Sequence, residues 1–359
     1  MNVTIVGGGN VGTQLAAHCA SKNCRVRIFT SKPEQFDNHL SVINESGDVI
    51  YEGDLALATA DAKSAFANTD LIFVTMPAYC MKDIAQKIVP FARKGLKIGL
   101  IPGTGGGECV FKKCVEKGAT VFGLQRVPSV ARLKERGKSV FAYGYRPALH
   151  LAAIPCTHTK ECCEMVSQLL DMKCIALPNY LNVTLTPSNP ILHTTRLYTL
   201  FQDYQEGVTY EKVPLFYEEW DDASSELLLK CDNEVQQLCD ALKEFDLSFV
   251  ESLKVHYESE SPEQMTKKLN SINSLKGIKT PTIQIGEAFI PDLSSRYFTA
   301  DFSYGLSILI QIASLVELPV PNMTQTFQWY EAIAKKQETF QYTDYGITNY
   351  SQFVEFYLQ

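Results

Sequence analysis

The chain has 359 residues, enough for two domains of ordinary size, and 45% of them are hydrophobic and 20% charged. This composition excludes a disordered, collagen-like or low-complexity chain. The 33 basic and 40 acidic residues give a net charge of −7, which argues against nucleic-acid binding through phosphate neutralisation.

The sequence favours a cytoplasmic protein without a membrane partner. It holds no run of 18 or more uncharged apolar residues, and the N-terminal MNVTIVGGGNVG lacks the basic region of a signal peptide. Its 11 cysteines are odd in number and follow no pattern, which is typical of reduced thiols.

The first thirty residues predict a dinucleotide-binding βαβ unit. Residues 2–6 (NVTIV) suit a buried parallel strand, and residues 11–22 favour a helix. Between them runs GGGNVG, whose glycines have G-x-G-x-x-G spacing. Glycines at these positions permit a tight turn, the approach of a pyrophosphate and close helix–strand packing. The residues assigned to the cofactor site here are Gly7, Gly9, Asn10, Val11 and Gly12.

The end of the second predicted strand, CRVRIFT, indicates which nicotinamide cofactor binds. NAD-binding units usually place an Asp or Glu about 20 residues past the glycines, where it accepts a hydrogen bond from the ribose 2′-OH. Here that place holds Thr30, Ser31 and Lys32, and two hydroxyls beside a cation suit a 2′-phosphate. We therefore expect NADP(H) in preference to NAD(H). The alternative is that Lys32 is only a solvated loop charge.

Strand patterns continue through the N-terminal half. The strand over 71–76 ends at Pro77, which we add to the cofactor site, and the strand over 97–101 runs into a second glycine-rich loop, PGTGGG. Carboxyl ends of parallel strands form the ligand crevice, so Gly105 and Gly106 are candidate substrate contacts. A flexible strand-to-helix turn explains the loop equally well.

One cluster of soft ligands could hold zinc. Cys156, His158, Cys162 and Cys163 lie within eight residues. Adjacent cysteines seldom converge on one tetrahedral site, and Cys162 and Cys163 could instead begin a helix with one of them in the core. We predict no metal.

The second half changes character. After about residue 187 the strand patterns fade, and the apolar residues of 226–245 step by three and four, which predicts a helix. The fold class that follows is α/β, with an N-terminal Rossmann-type doubly wound sheet in residues 1–185 and an all-helical C-terminal domain in 186–359. The Tyr-rich tail could cover a homodimer interface or only its own domain.

The cofactor residues do not identify the acid–base group of the reaction. Histidine is the residue type expected in that role, because its ordinary pKa lies near neutrality. His193 stands out because it follows Pro190, where a helix would begin, just past the predicted domain boundary. On the residues alone it is either an acid–base group or a capping or core histidine.

At this point the sequence resembles the opine dehydrogenases of the octopine/nopaline type. The resemblance rests on GGGNVG, on NPILH at 189–193, and on RYFTAD at 296–301 followed by YGL; the loop 102–107 and VPSVAR at 127–132 are similar too. It covers nearly the whole chain. The Asn-Pro-x-x-His segment paired with a later Arg-x-x-x-x-Asp is much more specific than the glycine motif.

The resemblance implies a reaction in which a nicotinamide cofactor reductively joins the amino group of an amino acid to the carbonyl carbon of an α-keto acid, often pyruvate. It implies His193 as the general acid–base group and Asp301 as the carboxylate that orients and stabilises it. It also implies that Asn189 contacts substrate or nicotinamide. Arg296 would bind a substrate carboxylate or the pyrophosphate. The alternative for Arg296 and Asp301 is a structural ion pair.

Two other functions stay open. A 3-hydroxyacid or ketopantoate-type NADP-dependent reductase has a similar build, but such families often use a Lys at the start of a C-terminal helix, and no Lys occurs here in a comparable motif. A non-catalytic NADP(H) sensor would bind the cofactor and oxidise none of it.

Overall fold

The computed structural model describes residues 1–334 and 337–359. Two compact units divide the chain. One comprises Met1–Thr184 together with Val354–Gln359, and the other comprises Leu185–Phe353. The functional division predicted at 185, between a dinucleotide domain and a substrate domain, stays a prediction.

The first unit is a large sheet with helices packed on it. Its strands are β1 (Asn2–Val6), β2 (Arg25–Phe29), β3 (His39–Ile43), β4 (Val49–Thr59), β5 (Leu71–Val74), β6 (Lys97–Leu100), β7 (Thr120–Leu124), β8 (Val130–Glu135), β9 (Ser139–Tyr143), β10 (Leu149–Ile154) and β11 (Cys174–Ala176). Its helices are α1 (Asn10–Ser21), α2 (Ala62–Phe66), α3 (Met81–Ile88), α4 (Gly107–Val110), α5 (Lys112–Glu116), α6 (Thr159–Leu170) and α7 (Leu181–Thr184).

The strand order confirms the predicted doubly wound sheet. Across the described residues the order is β11-β10-β7-β6-β5-β1-β2-β4-β3-β9-β8. Within this order, the six strands from β4 to β7 run parallel to one another. Val3 of β1, for example, pairs with Val26 on one side and Leu71 on the other. This is the 3-2-1-4-5-6 order of dinucleotide-binding sheets. Strands β5 and β7 are buried at every position, as expected for parallel strands covered on both faces.

Four strands of this sheet were not predicted: β3, β4, β8 and β11. The longest of them, β4, has one buried side chain, Leu55, among eleven residues, so its sequence carries little apolar periodicity. β4 is the last of the six parallel strands, and β3, β8 and β11 extend the sheet beyond them, where partial exposure weakens the sequence signal.

The second unit is mainly helical. Its helices are α8 (Asn189–Phe201), α9 (Asp222–Ala241), α10 (Leu253–His256), α11 (Pro262–Ser271), α12 (Arg296–Thr299), a π-helical turn (Phe302–Leu306), α13 (Ser307–Leu315) and α14 (Pro321–Ile333). A last helix, α15 (Tyr350–Leu358), begins in this unit and ends among the residues that pack with the first.

One hairpin interrupts the helices. Strands β12 (Thr282–Ile285) and β13 (Ala288–Pro291) pair antiparallel, a local departure from the all-helical domain that we expected. Each strand has only four residues; the side chains of β12 are mostly exposed and those of β13 mostly half-buried, so no apolar alternation marks them in the sequence.

A long apolar run crosses the centre of the second unit. Residues 296–315 form a helical stretch long and apolar enough to match a membrane span, but 56% of its most apolar window is buried inside the protein. It is therefore consistent with a core helix. The aromatic side chains of the tail are also buried within the chain, among them Phe353 and Tyr357.

Candidate active site

Four neighbouring parallel strands end at one edge of the first unit's sheet. Their order is β2-β1-β5-β6, and a predicted site residue follows each carboxyl end: Thr30, Gly7, Pro77 and Gly105, respectively. The crevice outside the carboxyl ends of parallel strands is where doubly wound folds bind ligands. The sheet therefore brings the predicted cofactor residues to one edge.

The glycine loop between β1 and α1 fits a dinucleotide. Gly7 has φ +102°, which favours glycine, and a Cβ on Gly12 would lie 1.9 Å from the Gly7 carbonyl oxygen, so only glycine allows this approach of helix and strand. A Cβ on Gly9 would meet no atom within 4 Å. No side chain caps α1, and its first turn has no acidic residue. The N-terminal N–H groups and the open space at Gly9 suit a pyrophosphate.

The other two residues of the loop have structural contacts. The Asn10 side-chain oxygen accepts a hydrogen bond from the Leu133 backbone N–H at 2.9 Å, which ties the start of α1 to β8. Val11 is half-buried against the core of the unit. We therefore expect Asn10 and Val11 to contribute to cofactor binding through their backbone N–H groups.

The segment after β2 is open to solvent. Ser31 and Lys32 are exposed, and Thr30 is half-buried, with its hydroxyl accepting a hydrogen bond from the Lys32 backbone N–H at 3.3 Å. The second glycine loop turns sharply, because Gly105 has φ +96° and Gly106 φ +73°. This backbone conformation accounts for these two glycines, and their contact with substrate stays a prediction.

His193 and Asp301 are in contact in the second unit. His193 lies on the second turn of α8, and Asp301 directly precedes the π-helical turn. The His193 Nδ1 and Asp301 Oδ2 atoms are 2.7 Å apart, and the two side chains are 3% and 16% exposed. Two residues separated by 108 positions thus form a largely buried imidazole–carboxylate pair, and their predicted catalytic role follows the geometry seen in hydrolytic triads.

The π-helical turn positions the carboxylate. The Leu306 N–H donates to the Asp301 carbonyl at 2.8 Å, a five-residue bond of a kind that often occurs at functional sites. A Cβ on Gly305 would lie 2.9 Å from the Pro190 side chain. Glycine here lets the turn press against the first turn of α8, three residues before His193.

The other ring nitrogen of His193 also has a partner, which sequence reasoning missed. The Tyr217 hydroxyl lies 2.6 Å from His193 Nε2. Burial raises the pKa of the Tyr217 phenol well above its ordinary value. Tyr297 and Phe216 complete an aromatic enclosure, with ring centres 4.3 and 5.4 Å from that of His193. No periodic pattern distinguishes Tyr217 from the other 16 tyrosines of the sequence.

Asn189 and Arg296 are the exposed first residues of α8 and α12. The Arg296 guanidinium lies over the Tyr297 ring, 5.6 Å from its centre, and Tyr297 in turn packs on His193. The Asp301 carboxylate contacts His193 Nδ1, which disfavours the alternative of a structural Arg296–Asp301 pair. Asn189 and Arg296 thus flank the His193 pair with polar groups free to face solvent or ligand.

The cysteine cluster does not form a metal site in the part of the chain that the structure describes. There, no three or more His, Cys, Asp or Glu side chains are grouped so as to hold a metal ion. Cys162 and Cys163 lie on α6 and are buried, the structural alternative considered for them.

Comparison with known proteins gives two family matches. The alpha-helical domain of NAD/NADP octopine/nopaline dehydrogenases matches residues 176–334, and the N-terminus of NAD-dependent glycerol-3-phosphate dehydrogenase matches residues 2–104. Similar proteins include the tauropine dehydrogenase of Arabella iricolor, 23% identical over 93% of this chain and 92% of its own length. The octopine dehydrogenase of Mizuhopecten yessoensis is 24% identical over 92% and 89%.

Solved structures share the fold. An octopine dehydrogenase with NADH and L-arginine has a TM-score of 0.79 at 21% identity, covering 92% of this chain and 89% of that one. A yersinopine dehydrogenase with NADP⁺ reaches 0.66 at 12% identity, with coverages of 92% and 90%. A 2-dehydropantoate 2-reductase from Geobacter metallireducens GS-15 reaches 0.64 at 13% identity, with coverages of 92% and 99%. Because both enzyme classes share the fold, they are distinguished by the match to the helical domain and by the sequence similarity to tauropine and octopine dehydrogenases.

Proposed function

Because residues 176–334 match the helical domain of octopine/nopaline dehydrogenases and the chain is similar to opine-type dehydrogenases over most of its length, we propose that it belongs to this family and is an NAD(P)-dependent oxidoreductase acting on CH–NH groups. The reaction is the reductive condensation of the amino group of an amino acid with an α-keto acid, and the product is an N-(1-carboxyalkyl) amino acid. The observation that carries this proposal is the 2.7 Å contact between His193 and Asp301 in the unit that matches the family's helical domain.

His193 would act as the general acid–base group. The imidazole accepts a proton from the substrate ammonium, which frees the nitrogen lone pair to attack the keto carbon, and later returns a proton to the departing hydroxyl. Asp301 fixes the ring and stabilises the imidazolium while it carries that proton. When bound, the nicotinamide supplies the hydride that reduces the resulting C=N bond.

The cofactor would lie on the glycine loop of the first unit. The open space at Gly9 and the uncapped first turn of α1 support this placement. Thr30, Ser31 and Lys32 support NADP(H) over NAD(H), because two hydroxyls and a cation complement a 2′-phosphate. The solved relatives hold NADH in one case and NADP⁺ in another and so leave this choice to experiment.

Substrate recognition would fall to Asn189 and Arg296, with Gly105 and Gly106 allowing backbone contacts. A guanidinium offers paired donors that match a substrate carboxylate. Pyruvate is the favoured keto acid, by analogy with the octopine dehydrogenase solved with NADH and pyruvate. The amino acid is left to the experiment below.

A reducing, cytoplasmic location agrees with the cysteines. None of the 11 forms a disulfide, and all lie within the residues that the structure describes. A homodimer is one oligomeric state that a measurement in solution can test.

The proposal is tested by mixing the protein, NADPH or NADH, pyruvate and single amino acids, and following cofactor absorbance and product mass. We expect oxidation only when amine and keto acid are both present. Oxidation with pyruvate alone would support a 2-hydroxyacid-forming reductase instead. Cofactor binding without oxidation in any mixture would support a sensor.

A further inference from the structure

Both nitrogens of the His193 ring are already engaged in the folded protein. Nδ1 contacts the Asp301 carboxylate at 2.7 Å, and Nε2 contacts the Tyr217 hydroxyl at 2.6 Å. The His193 residue is 3% exposed and Tyr217 5%. The phenol oxygen therefore occupies the position beside Nε2 through which that nitrogen would otherwise exchange a proton.

The partners fix where the protons lie. A carboxylate only accepts hydrogen bonds, so His193 Nδ1–H donates to Asp301. Nε2 is then the accepting nitrogen, and the Tyr217 hydroxyl donates to it. A raised phenol pKa, caused by burial, keeps this hydroxyl protonated. The three groups form one directional chain, in which each donates to the next from Tyr217 through His193 to Asp301.

The segment that carries Tyr217 is tied to the same helix as His193. Arg196 follows His193 by three residues on α8 and is fully buried. Its guanidinium donates to the backbone carbonyls of Phe216 and Glu219, on either side of Tyr217, at 3.3 and 2.6 Å. It also pairs with the Asp221 carboxylate at 2.6 Å. Moving this segment away from α8 would break these bonds, so the backbone that carries Tyr217 is held beside His193.

We propose that Tyr217 is a further catalytic residue, which relays the proton between the substrate and His193. This inference rests on the proposed function. The substrate ammonium gives a proton to the Tyr217 oxygen as the Tyr217 hydroxyl proton moves to His193 Nε2, and Asp301 stabilises the imidazolium. The nitrogen lone pair forms the C–N bond, and a proton shift from nitrogen to oxygen gives the neutral carbinolamine.

The relay then runs in reverse. As the C–O bond breaks, the imidazolium returns its proton through Tyr217 to the departing hydroxyl, which leaves as water, and the nitrogen lone pair forms the C=N bond. His193 and Tyr217 finish in their starting protonation states. The step therefore needs no reactant beyond the amino acid and the keto acid.

Tyr217→Phe tests the relay by removing a single oxygen. Tyr350→Phe is the matched control, because Tyr350 is half-buried in the same unit and its hydroxyl donates to the Glu244 carboxylate, outside the elements that carry His193, Tyr217 and Asp301. We expect Tyr217→Phe to lower kcat at least about 100-fold with unchanged cofactor affinity, and Tyr350→Phe to stay within about threefold of wild type. The solvent isotope effect on kcat should change only in Tyr217→Phe.

A Tyr217→Phe variant that keeps kcat, or exceeds the wild-type value because Nε2 has become accessible, overturns the relay. If the wild type itself yields no condensation product, the proposed function fails instead, so the two failures are distinct. Nitrogen-15 NMR of labelled histidine, with His193 assigned by its loss in His193→Ala, gives a readout independent of turnover. We expect an unprotonated Nε2 whose resonance shifts in Tyr217→Phe; a protonated Nε2 in the wild type contradicts the relay.

Discussion

At the scale of single residues, Asp301 decides which His193 nitrogen can take up a proton. A carboxylate 2.7 Å from Nδ1 holds a proton on that nitrogen and leaves the lone pair on Nε2. An amide of the same shape could donate to Nδ1 and reverse the tautomer. The pair therefore acts through ring orientation and proton placement as much as through charge.

Asp301→Asn should lower kcat by roughly 10²- to 10⁴-fold, the range of general acid–base contributions, while cofactor affinity stays at the wild-type value. Asp292→Asn is the control, because the Asp292 carboxylate bonds only locally, to Ser294. Steady-state kinetics and a cofactor titration check both variants. Wild-type turnover in Asp301→Asn would remove the carboxylate from the mechanism.

Cofactor choice also depends on single residues. Lys32→Glu should repel a 2′-phosphate and supply an acceptor for a ribose hydroxyl, so the preference for NADPH over NADH should fall at least about tenfold, or ~1.4 kcal/mol. Lys63→Glu makes the same charge change at another exposed lysine, on α2, and should leave the ratio unchanged. An unaltered ratio in Lys32→Glu would contradict the assignment of a 2′-phosphate to this segment.

At the scale of elements, two glycines at the start of α1 should have different roles. We expect Gly9 to affect cofactor binding and Gly12 to affect folding. A methyl group at Gly9 meets open space and φ there is −86°, so Gly9→Ala should cost at most about 1 kcal/mol of stability. The same methyl fills the space assigned to the pyrophosphate, so cofactor affinity should fall. Gly12→Ala places Cβ against the Gly7 carbonyl and should destabilise the first unit itself.

Thermal melts with and without cofactor distinguish these two glycine variants. We expect Gly9→Ala to melt near the wild-type temperature but to lose the cofactor-induced increase, whereas Gly12→Ala melts earlier in both conditions. Normal cofactor affinity in Gly9→Ala would place the pyrophosphate elsewhere.

Helix α4 carries a buried carboxyl group that makes stability depend on pH. Glu108 is fully buried, and its Oε1 accepts from the hydroxyls of Thr184 and Tyr357, each at 2.7 Å. Burial raises the pKa of Glu108, although these two donors oppose the shift. The folded state therefore holds its proton to higher pH than the unfolded chain, so the contribution of Glu108 to stability is lost as pH rises from the unfolded pKa through the folded one.

Glu108→Gln cannot ionise, so it should be more stable relative to wild type at pH 8 than at pH 4.5. Glu116→Gln, at an exposed position on α5, should keep the wild-type pH dependence. Urea unfolding at the two pH values measures both variants. Parallel pH curves for Glu108→Gln and wild type would show that folding does not raise the pKa of Glu108.

At the scale of the whole molecule, sequence predicts best where one local pattern sets the structure. The run NVTIV and the spaced glycines specify β1, the loop and α1 within twenty residues, and continuous apolar runs mark β5, β6 and β7. The pairing of His193 with Asp301 is a different case. It rested on resemblance to a family, since no local rule connects two residues separated by 108 positions.

The unpredicted parts depend on tertiary contacts. Tyr217 contacts His193 Nε2 from an irregular segment that Arg196 holds against α8. No periodic pattern in the sequence predicts such a contact. Strand β4 and the hairpin β12–β13 have too few buried side chains to show apolar alternation. The apolar run over 305–316 predicts a helix but does not reveal the π-helical turn before α13, because a single inserted residue leaves hydrophobicity unchanged.

We propose that His193 and its partners carry the protons of the condensation, so that cofactor hydride reduces a carbon–nitrogen double bond. Cofactor deuterated at the transferred position, supplied with pyruvate and an amino acid that the panel identifies as a substrate, tests it most directly. We predict a secondary-amine product carrying one deuterium on the carbon that came from the keto group, and none from His193→Ala. Deuterium recovered in a 2-hydroxy acid, at the same rate with or without the amine, would contradict the account.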